Sequence, residues 1–403
     1  MQRRTFLSLL ALPAIAQVLQ SCGDESADPD GTTPVTPRSA LKGTAPHVAA
    51  AAQEADAAAV AINAFAADLF DRLVTAEPTA NVVFSPASIV LALTMTSAGA
   101  KGTTLDEMNT VLHVADTAGI HRSMNALSTR LGSVNRSIDN TDQGGTGSSE
   151  VQLSIANSLW GQTGLEFEEA FLDLLSAEYD AGLELVDYKK DPESARADIN
   201  AWVAAQTRDR IPELLAPDVI TRAARLTLVN AVYLKANWAE AFDEQLSADE
   251  PFAAPDGEVS VRMMHTTTDV GHALGEGWQA VDVPYVFGDL SFTLVMGETA
   301  ETALPTADEV FAALGRRTVA LGLPRFDIET ATRLADVLIA MGMPTAFDGD
   351  ADFSGMTEDE PLRIADVVHQ ANITVDEEGT EAAAATAVVM ETAAEQIVDD
   401  PIT

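Results

Sequence analysis

Hydrophobic side chains recur with a helical period in the first half of this chain and alternate with a two-residue period in much of the second half. Ile62, Phe65, Leu69 and Leu73 follow the helical spacing, and further helices are predicted at 168–179 and 192–210. From Arg225 onward the chain is strand-like, with only short helices predicted at 307–314 and 330–341. Because helices come first and strands later, the order favours an α+β fold with a large antiparallel or mixed sheet.

Local signals refine the first half of the chain. Ser85 can cap a helix that begins at Pro86, and the run IVLALTMTSAGA that follows is apolar on nearly all sides, so this helix should be buried. Thr104 and Glu107 have the spacing of a capping box for a third helix, and 119–131 can form a fourth. The polar, Gly-rich stretch 133–150 predicts a loose surface loop, and the alternation after it predicts a strand at 151–160.

The first 22 residues have the pattern of an export signal. Arg3 and Arg4 precede an apolar run that ends in LQSC, which resembles a twin-arginine signal followed by a bacterial lipobox with Cys22 as the lipid-bearing residue. A plain secretory signal and a short membrane anchor are the alternatives, although the run is shorter than the ~20 apolar residues that span a bilayer. We therefore predict an export signal over 1–22, a flexible acidic tether rich in Pro and Thr over 23–54 and a folded domain over 55–403, at the cell envelope or outside the cell.

The charge of the chain excludes some partners. With 62 acidic and 23 basic residues the net charge is −39, so nucleic acid and anionic membrane surfaces would repel it, and contact with a membrane is expected only through a lipid anchor. Such a surface suits high salt, where counter-ions screen its self-repulsion, and an acidic extracytoplasmic protein of an ordinary bacterium is the alternative. Cys22 is the single cysteine, which excludes an internal disulfide and a cysteine-based metal cluster.

Motifs of catalysis and of metal binding are absent from the sequence. It has no GxSxG elbow, HExxH pair, phosphate loop or dinucleotide fingerprint. Asp348, Asp350 and Asp352 alternate as in a calcium loop, but the terminal bidentate acid is missing. No catalytic residue, cofactor or metal site is therefore predicted.

Five segments in order resemble the serpin family, over about residues 56–390. They are NVVFSPASIVLALTMTSAGAKGTTLDEM, LVNAVYLKANWAEAF, LPRFDIE, MGMPTAFDGDADFSGM and VVHQANITVDEEGTEAAAATA. A minor departure is Ala236-Asn237, where the family more usually has Lys-Gly. The resemblance implies helices packed on a large sheet with smaller sheets, an exposed reactive loop, a monomeric chain and inhibition of serine proteases.

The proposed loop follows an alternating strand over 367–375. Its alanine content alone favours a helix, whereas Gly379 offers a flexible joint and a continued strand would place small uncharged side chains on one face. That face carries Thr380, Ala382, Ala384, Thr386, Val388 and Met390, and the other face carries Glu381 and Glu391. A slender uncharged face can enter a sheet without burying an unpaired charge.

The resemblance assigns this segment a mechanism. It implies that a protease cuts the loop as substrate and that the hinge then inserts into the main sheet and traps the acyl-enzyme. The hinge residues are Glu377, Glu378, Gly379, Thr380, Glu381, Ala382, Ala383, Ala384, Ala385 and Thr386. Family spacing places the scissile bond between Ala393 and Ala394, with cleavage after Met390 or Thr392 as alternatives. Small residues there suit an elastase-like or subtilisin-like protease.

Other positions are carried over from the family as structural. Ser85, Ser88, Asn200, Asn230 and His369 are expected to form a polar cluster where the sheet opens. His369 is alternatively an ordinary buried histidine that satisfies backbone groups. At the top of the opening, called the breach, Arg325 can pair with Glu377 near Trp238.

Two other function classes stay open, a non-inhibitory surface-anchored binding protein and a hydrolase. Serpins also continue past the loop with apolar strands, and this sequence stops at Thr403 where they should begin. We therefore expect the sequence to be a fragment that lacks the final strands.

Overall fold

The computed structural model describes residues 5–8, 40–41, 43–139, 148–254, 257–298 and 304–393. Its eight helices in this part of the chain are α1 (Asp56–Ala76), α2 (Pro86–Ser97), α3 (Gly102–Val111), α4 (Ile120–Gly132), α5 (Glu169–Tyr179), α6 (Pro192–Gln206), α7 (Ala307–Ala313) and α8 (Ala335–Met341). None of the helices described is long and apolar enough to cross a membrane.

The strands fall into two sheets. The first strands along the chain are β1 (Thr5–Ser8), β2 (Ala40–Leu41), β3 (Arg136–Asp139), β4 (Ser148–Gln162), β5 (Leu183–Val186), β6 (Ala224–Asn237) and β7 (Ala248–Ala254). The later strands are β8 (Gly257–Gly275), β9 (Trp278–Pro284), β10 (Ser291–Gly297), β11 (Gly315–Pro324), β12 (Phe326–Arg333), β13 (Leu362–Val375) and β14 (Gly379–Thr392). The smaller sheet has the order β1-β10-β9-β8-β11, with β7 beside β8.

The larger sheet has the order β12-β13-β14-β6-β4-β5-β2, with β3 beside β4. The β4–β5 pair is parallel and the other pairs described are antiparallel, so the predicted mixed sheet and α+β class are confirmed. β14 lies between β13 and β6 and pairs with both along its length. The expectation of an exposed loop is therefore wrong for this structure, because the segment is a buried central strand.

Helices cover both faces of the larger sheet. α2 packs against the centre of one face, and every one of its residues after Pro86 is buried, as its apolar sequence predicts. α6 covers the other face, where Ile199 and Val203 join a second hydrophobic cluster. Strand β14 therefore lies between α2 on one side and α6 on the other.

Four local predictions need correction. The expected capping box of α3 does not form, because Thr104 accepts a hydrogen bond from the Asp352 amide and Glu107 accepts one from the Thr345 amide. The expected loop 133–150 begins and ends as a hairpin in its described part, where β3 pairs with β4. The helix predicted at 330–341 begins only at Ala335, since 330–333 belong to β12, and the one predicted to end at residue 210 ends at Gln206.

The predicted tether also extends too far. Within 43–54, the amide of Thr44 donates to the Asp173 carboxylate (2.6 Å) and the amide of Ala50 donates to Asn125 Oδ1 (2.8 Å). These bonds attach the segment to α5 and α4. Residues 43–54 are therefore part of the folded body.

Candidate functional site: the inserted strand and its contacts

The inserted strand begins at a glycine that the fold requires. A Cβ at Gly379 would overlap the carbonyl oxygen of Ala236 on β6. Only glycine allows the two backbones to approach so closely where β14 enters the sheet. The sequence placed a flexible joint at this position, and the structure adds close packing as the reason for it.

The two faces of β14 contact different layers. Ala382, Val388 and Met390 join the core that includes α2, as expected for the slender face. Ala383, Ala385, Ala387 and Val389 join the cluster under α6. Small side chains on both faces fit the space between the sheet and its two covering helices. Glu381 and Glu391 lie on the α6 side, which is the face opposite to the slender one, as predicted.

A hydrogen-bonded cluster lies at the middle of β14. Ser88 Oγ lies 3.0 Å from Thr386 Oγ1, and His369 Nδ1 lies 2.8 Å from the same oxygen. The amide of Ser85 donates to His369 Nε2 (3.0 Å), so the proton of the neutral ring is on Nδ1 and points to Thr386. Burial lowers the pKa of His369 to about 3, which keeps the ring neutral. This cluster joins α2, β13 and β14.

Two asparagines of the expected cluster differ in position. Asn230 lies beside Thr386 in the sheet and donates to Asn157 Oδ1 (2.9 Å) on β4. Asn200 lies on α6, where its amide holds both the N–H (2.8 Å) and the C=O (2.9 Å) of Leu215. Asn200 therefore anchors the chain after α6 on the opposite face. Four of the five predicted residues meet at the sheet centre, and Asn200 does not.

The breach residues surround the entry of β14. Glu377 is buried and accepts a hydrogen bond from Ser247 Oγ (2.8 Å), and its other oxygen lies 3.7 Å from Arg325 Nη1. Burial alone would raise the pKa of Glu377, but the bond from Ser247 and the charge of Arg325 outweigh it and lower that pKa. Glu378 is exposed at the turn. The predicted Arg325–Glu377 contact is present.

Trp238 fixes the turn before β14. Its indole Nε1 donates to the Asp376 carbonyl (2.9 Å), and its amide donates to the Glu378 carbonyl (2.9 Å). The ring stacks on Tyr285 with centroids 4.8 Å apart. Tyr285 in turn donates from its hydroxyl to Thr380 Oγ1 (2.7 Å), so Thr380 is held in the core by a buried partner.

Several partners of the strand were not predicted from the sequence. They are Asn157, Tyr233, Ser247 and Tyr285. Asn157, Tyr233 and Tyr285 contact β14 or the residues beside Thr386, and Ser247 contacts Glu377. These partners are distant in the sequence, and no local pattern marks them. Tyr233, for example, donates to Glu381 Oε1 (2.8 Å) from β6, and burial raises its pKa to about 12.

The proposed scissile bond is at the far end of the strand. The amide of Ala393 donates to the Pro361 carbonyl (2.8 Å), just after β14 ends. Ala394 and the lipidation residue Cys22 lie outside the described residues. The part of the chain that the structure describes holds no group of acidic, His or Cys side chains suited to a metal ion.

Comparisons with known proteins agree with this architecture. The model of the serpin (serine protease inhibitor) family matches residues 60–401. A serpin-like protein of Methanosarcina acetivorans is 34% identical over 81% of this chain and 77% of its own length. A leukocyte elastase inhibitor A of Rattus norvegicus is 35% identical over 80% of this chain and 86% of its own.

Two solved structures share the arrangement of the chain. The cleaved form of Serpin 42Da superposes with a TM-score of 0.75 and 29% identity, over 85% of this chain and 91% of that one. Reaction-loop-cleaved lamprey angiotensinogen has a TM-score of 0.73 and 25% identity over 84% of this chain and 100% of the other. The chain belongs to the serpin family of serine protease inhibitors.

Proposed function

We propose that this protein inhibits serine proteases as a suicide substrate, with the segment Gly379–Thr392 as the inserting strand. The observation that carries the proposal is the fit of this segment as a central strand, paired with β13 on one side and β6 on the other. The relatives named as elastase inhibitors support protease inhibition in general.

The chemistry proceeds on the chain as on any substrate. The protease serine attacks the Ala393 carbonyl, and the bond to Ala394 breaks, so Ala393 becomes an ester of the enzyme and the amine of Ala394 leaves. Water would normally hydrolyse that ester. Insertion of the strand competes with this step, because it carries the bound protease to the far end of the sheet and distorts its active site.

The side chains of β14 favour insertion. None of the residues from Ala382 to Met390 carries a charge, and all of them are buried once inserted. Thr380 and Thr386 are the polar residues of the core-facing side, and both find hydrogen-bond partners there. The inserted strand therefore gains apolar burial and backbone pairing without leaving an unsatisfied polar side chain.

The position of the strand end favours cleavage beyond β14 over cleavage after Met390, which would remove Glu391 and Thr392 from the inserted strand. Cleavage after Thr392 or between Ala393 and Ala394 leaves the whole of β14 attached to β13, and the family spacing selects the Ala393–Ala394 bond. A small residue before the cut suits an elastase-like or subtilisin-like protease. Insertion alongside a trapped protease requires one chain for one enzyme, so we expect a monomer.

The test is incubation with an elastase-type serine protease. We expect a complex that survives SDS and a released peptide that begins at Ala394. The same protease with its catalytic serine replaced by alanine is the control and should give no such complex. Complete turnover of the loop without a complex would show that the chain is a substrate and not an inhibitor.

We also propose that the protein acts at the cell surface, attached by lipid at Cys22. The motif LQSC in the export signal supports this location. Mass spectrometry of the mature N-terminus should find a diacylglyceryl cysteine, and Cys22→Ala should release the protein from membranes. A mature chain that begins at another residue would contradict the anchor.

A further inference from the structure

The two charged side chains of β14 lie at opposite ends of the strand. Both Glu381 and Glu391 are on the α6 side. The residues between them, 382–390, are all uncharged. Glu391 has a side chain only 14% exposed. A carboxylate that leaves water on insertion is stable only when it gains hydrogen bonds and an opposite charge.

Two side chains supply those contacts at the far end of the sheet. Thr221 Oγ1 donates to Glu391 Oε1 (2.7 Å), and Arg363 Nη2 lies 3.7 Å from Glu391 Oε2. Thr221 is oriented by the Ala223 amide, which donates to its oxygen (3.1 Å). The threonine hydroxyl proton is therefore available to the carboxylate.

Arg363 pairs with the Glu391 carboxylate and not with another acid of the described part of the chain. Arg363 lies opposite Glu391 in the β13–β14 register, and its Nη1 donates to the Phe347 carbonyl (3.1 Å). The neighbouring Arg333 pairs with Asp366 at 2.6 Å. Among the described residues, Glu391 is thus the carboxylate that contacts Arg363.

The backbone also changes at this level. The register shifts between Ile364 and Asp366 on β13 and, on the other side, between Met390 and Glu391 against β6. Such bulges interrupt a regular ladder and change the direction of the side chains beside them. Beyond them the Thr392 amide donates to the Ala223 carbonyl (3.2 Å), which closes the end of the strand.

We propose that Thr221 and Arg363 form a receiving site for the Glu391 carboxylate and that this site defines the end point of strand insertion. The inference rests on the proposed function. Glu391 is two residues before Ala393, so its side chain first lies in the protease cleft and then binds at the receiving site. Complete insertion carries the protease over the full length of the sheet. Glu391 is the positioning residue, because its binding at the receiving site completes the insertion.

The test uses the full chain after its loop has been cut. Hydrogen exchange at the Thr392 and Ala393 amides reports whether the strand end is held. In Arg363→Gln we expect exchange there about threefold faster, because the positive charge that pairs with the Glu391 carboxylate is lost. Arg363 is outside the cleaved segment, so this variant leaves the sequence that the protease recognises unchanged.

Exchanging the charges of Glu391 and Arg363 tests whether the two side chains hold the strand end as an ion pair. Glu391→Arg alone should free the strand end, and Glu391→Arg combined with Arg363→Glu should restore slow exchange. Glu381→Gln, at the opposite end of the strand, is the matched control and should leave the two amides unchanged. If Arg363→Gln and Glu391→Arg alone both exchange as slowly as the parent chain, the receiving site is wrong.

Thermal unfolding keeps the two proposals apart. A cut parent chain that unfolds at no higher temperature than the intact chain would show that insertion does not follow cleavage, and the proposed function would fail. A cut parent chain that gains stability, combined with unchanged amides in Arg363→Gln, would overturn the receiving site alone.

Discussion

His369 and Thr386 are joined by a hydrogen bond of 2.8 Å between Nδ1 and Oγ1, which links strand β13 to the inserted strand β14. The same ring accepts from the Ser85 amide at the start of α2. The family resemblance placed His369 in the polar cluster where the sheet opens. In the inserted arrangement it bonds the inserted strand itself.

Stability should depend on pH through His369. Its pKa in the folded chain is about 3, below the ordinary value of 6.5, so the unfolded chain binds the proton more readily. The stability that the folded chain gains from keeping His369 neutral is complete above pH 6.5. This stability is lost as the pH falls towards 3, by at most about 1.4 kcal/mol for each pH unit. Denaturant unfolding at several pH values measures this.

His121 is a second buried histidine, with a pKa lowered by burial to about 4. It also destabilises the chain in acid, so His369→Gln is needed to isolate the effect. We expect the acid dependence to be weaker in His369→Gln than in the parent chain. Equal slopes would exclude His369 as the source.

Removing the imidazole should weaken the inserted form at any pH. His369→Ala leaves the Ser85 amide without its partner and removes one of the two partners of the Thr386 hydroxyl, and we expect the free energy of unfolding of the loop-cut chain to fall by about 2 kcal/mol or more. Calorimetry of the cut chain checks the value. A loss of less than about 0.5 kcal/mol would mean that the cluster is not structural.

Thr380 should be necessary for inhibition. It is buried and bonded to Tyr285, so Thr380→Arg would carry an unpaired charge into the core during insertion. We expect the number of inhibitor molecules consumed for each protease inactivated to rise by at least about tenfold. Glu378→Arg, at the exposed neighbouring turn, is the control and should inhibit like the parent chain.

Salt should stabilise the protein. At a net charge of −39 the folded chain repels itself, and raising the salt from 0.1 M to 1 M shortens the screening distance from about 10 Å to about 3 Å. We expect the unfolding temperature to rise by several degrees in sodium chloride and to rise less near pH 4, where many carboxylates are protonated. A temperature independent of salt would contradict this account.

The order of elements could be predicted from the sequence because hydrophobic periodicity is local. α2 begins at Pro86 with Ser85 as its cap, and β14 keeps the predicted alternation from Thr380 to Met390. The capping box at Thr104 failed because tertiary hydrogen bonds from Asp352 and Thr345 took its side chains. A local motif cannot reveal such competition.

The site was predictable only in part. The family resemblance brought together Ser85, Ser88, Asn230 and His369, since local sequence cannot place residues 284 positions apart, such as Ser85 and His369, in contact. Asn200 was misplaced because α6 covers the face of the sheet opposite to α2, which local sequence does not reveal. Tyr285 carries no local signal for a bond to Thr380, which is 95 residues away.

The central claim is tested most directly by titrating a fixed amount of an elastase-type protease with the intact chain and following both residual activity and complex formation. We expect protease activity to fall in proportion to the added chain and to stay lost, while a covalent complex accumulates in equal amount. Recovery of full protease activity after every loop has been cut would contradict it.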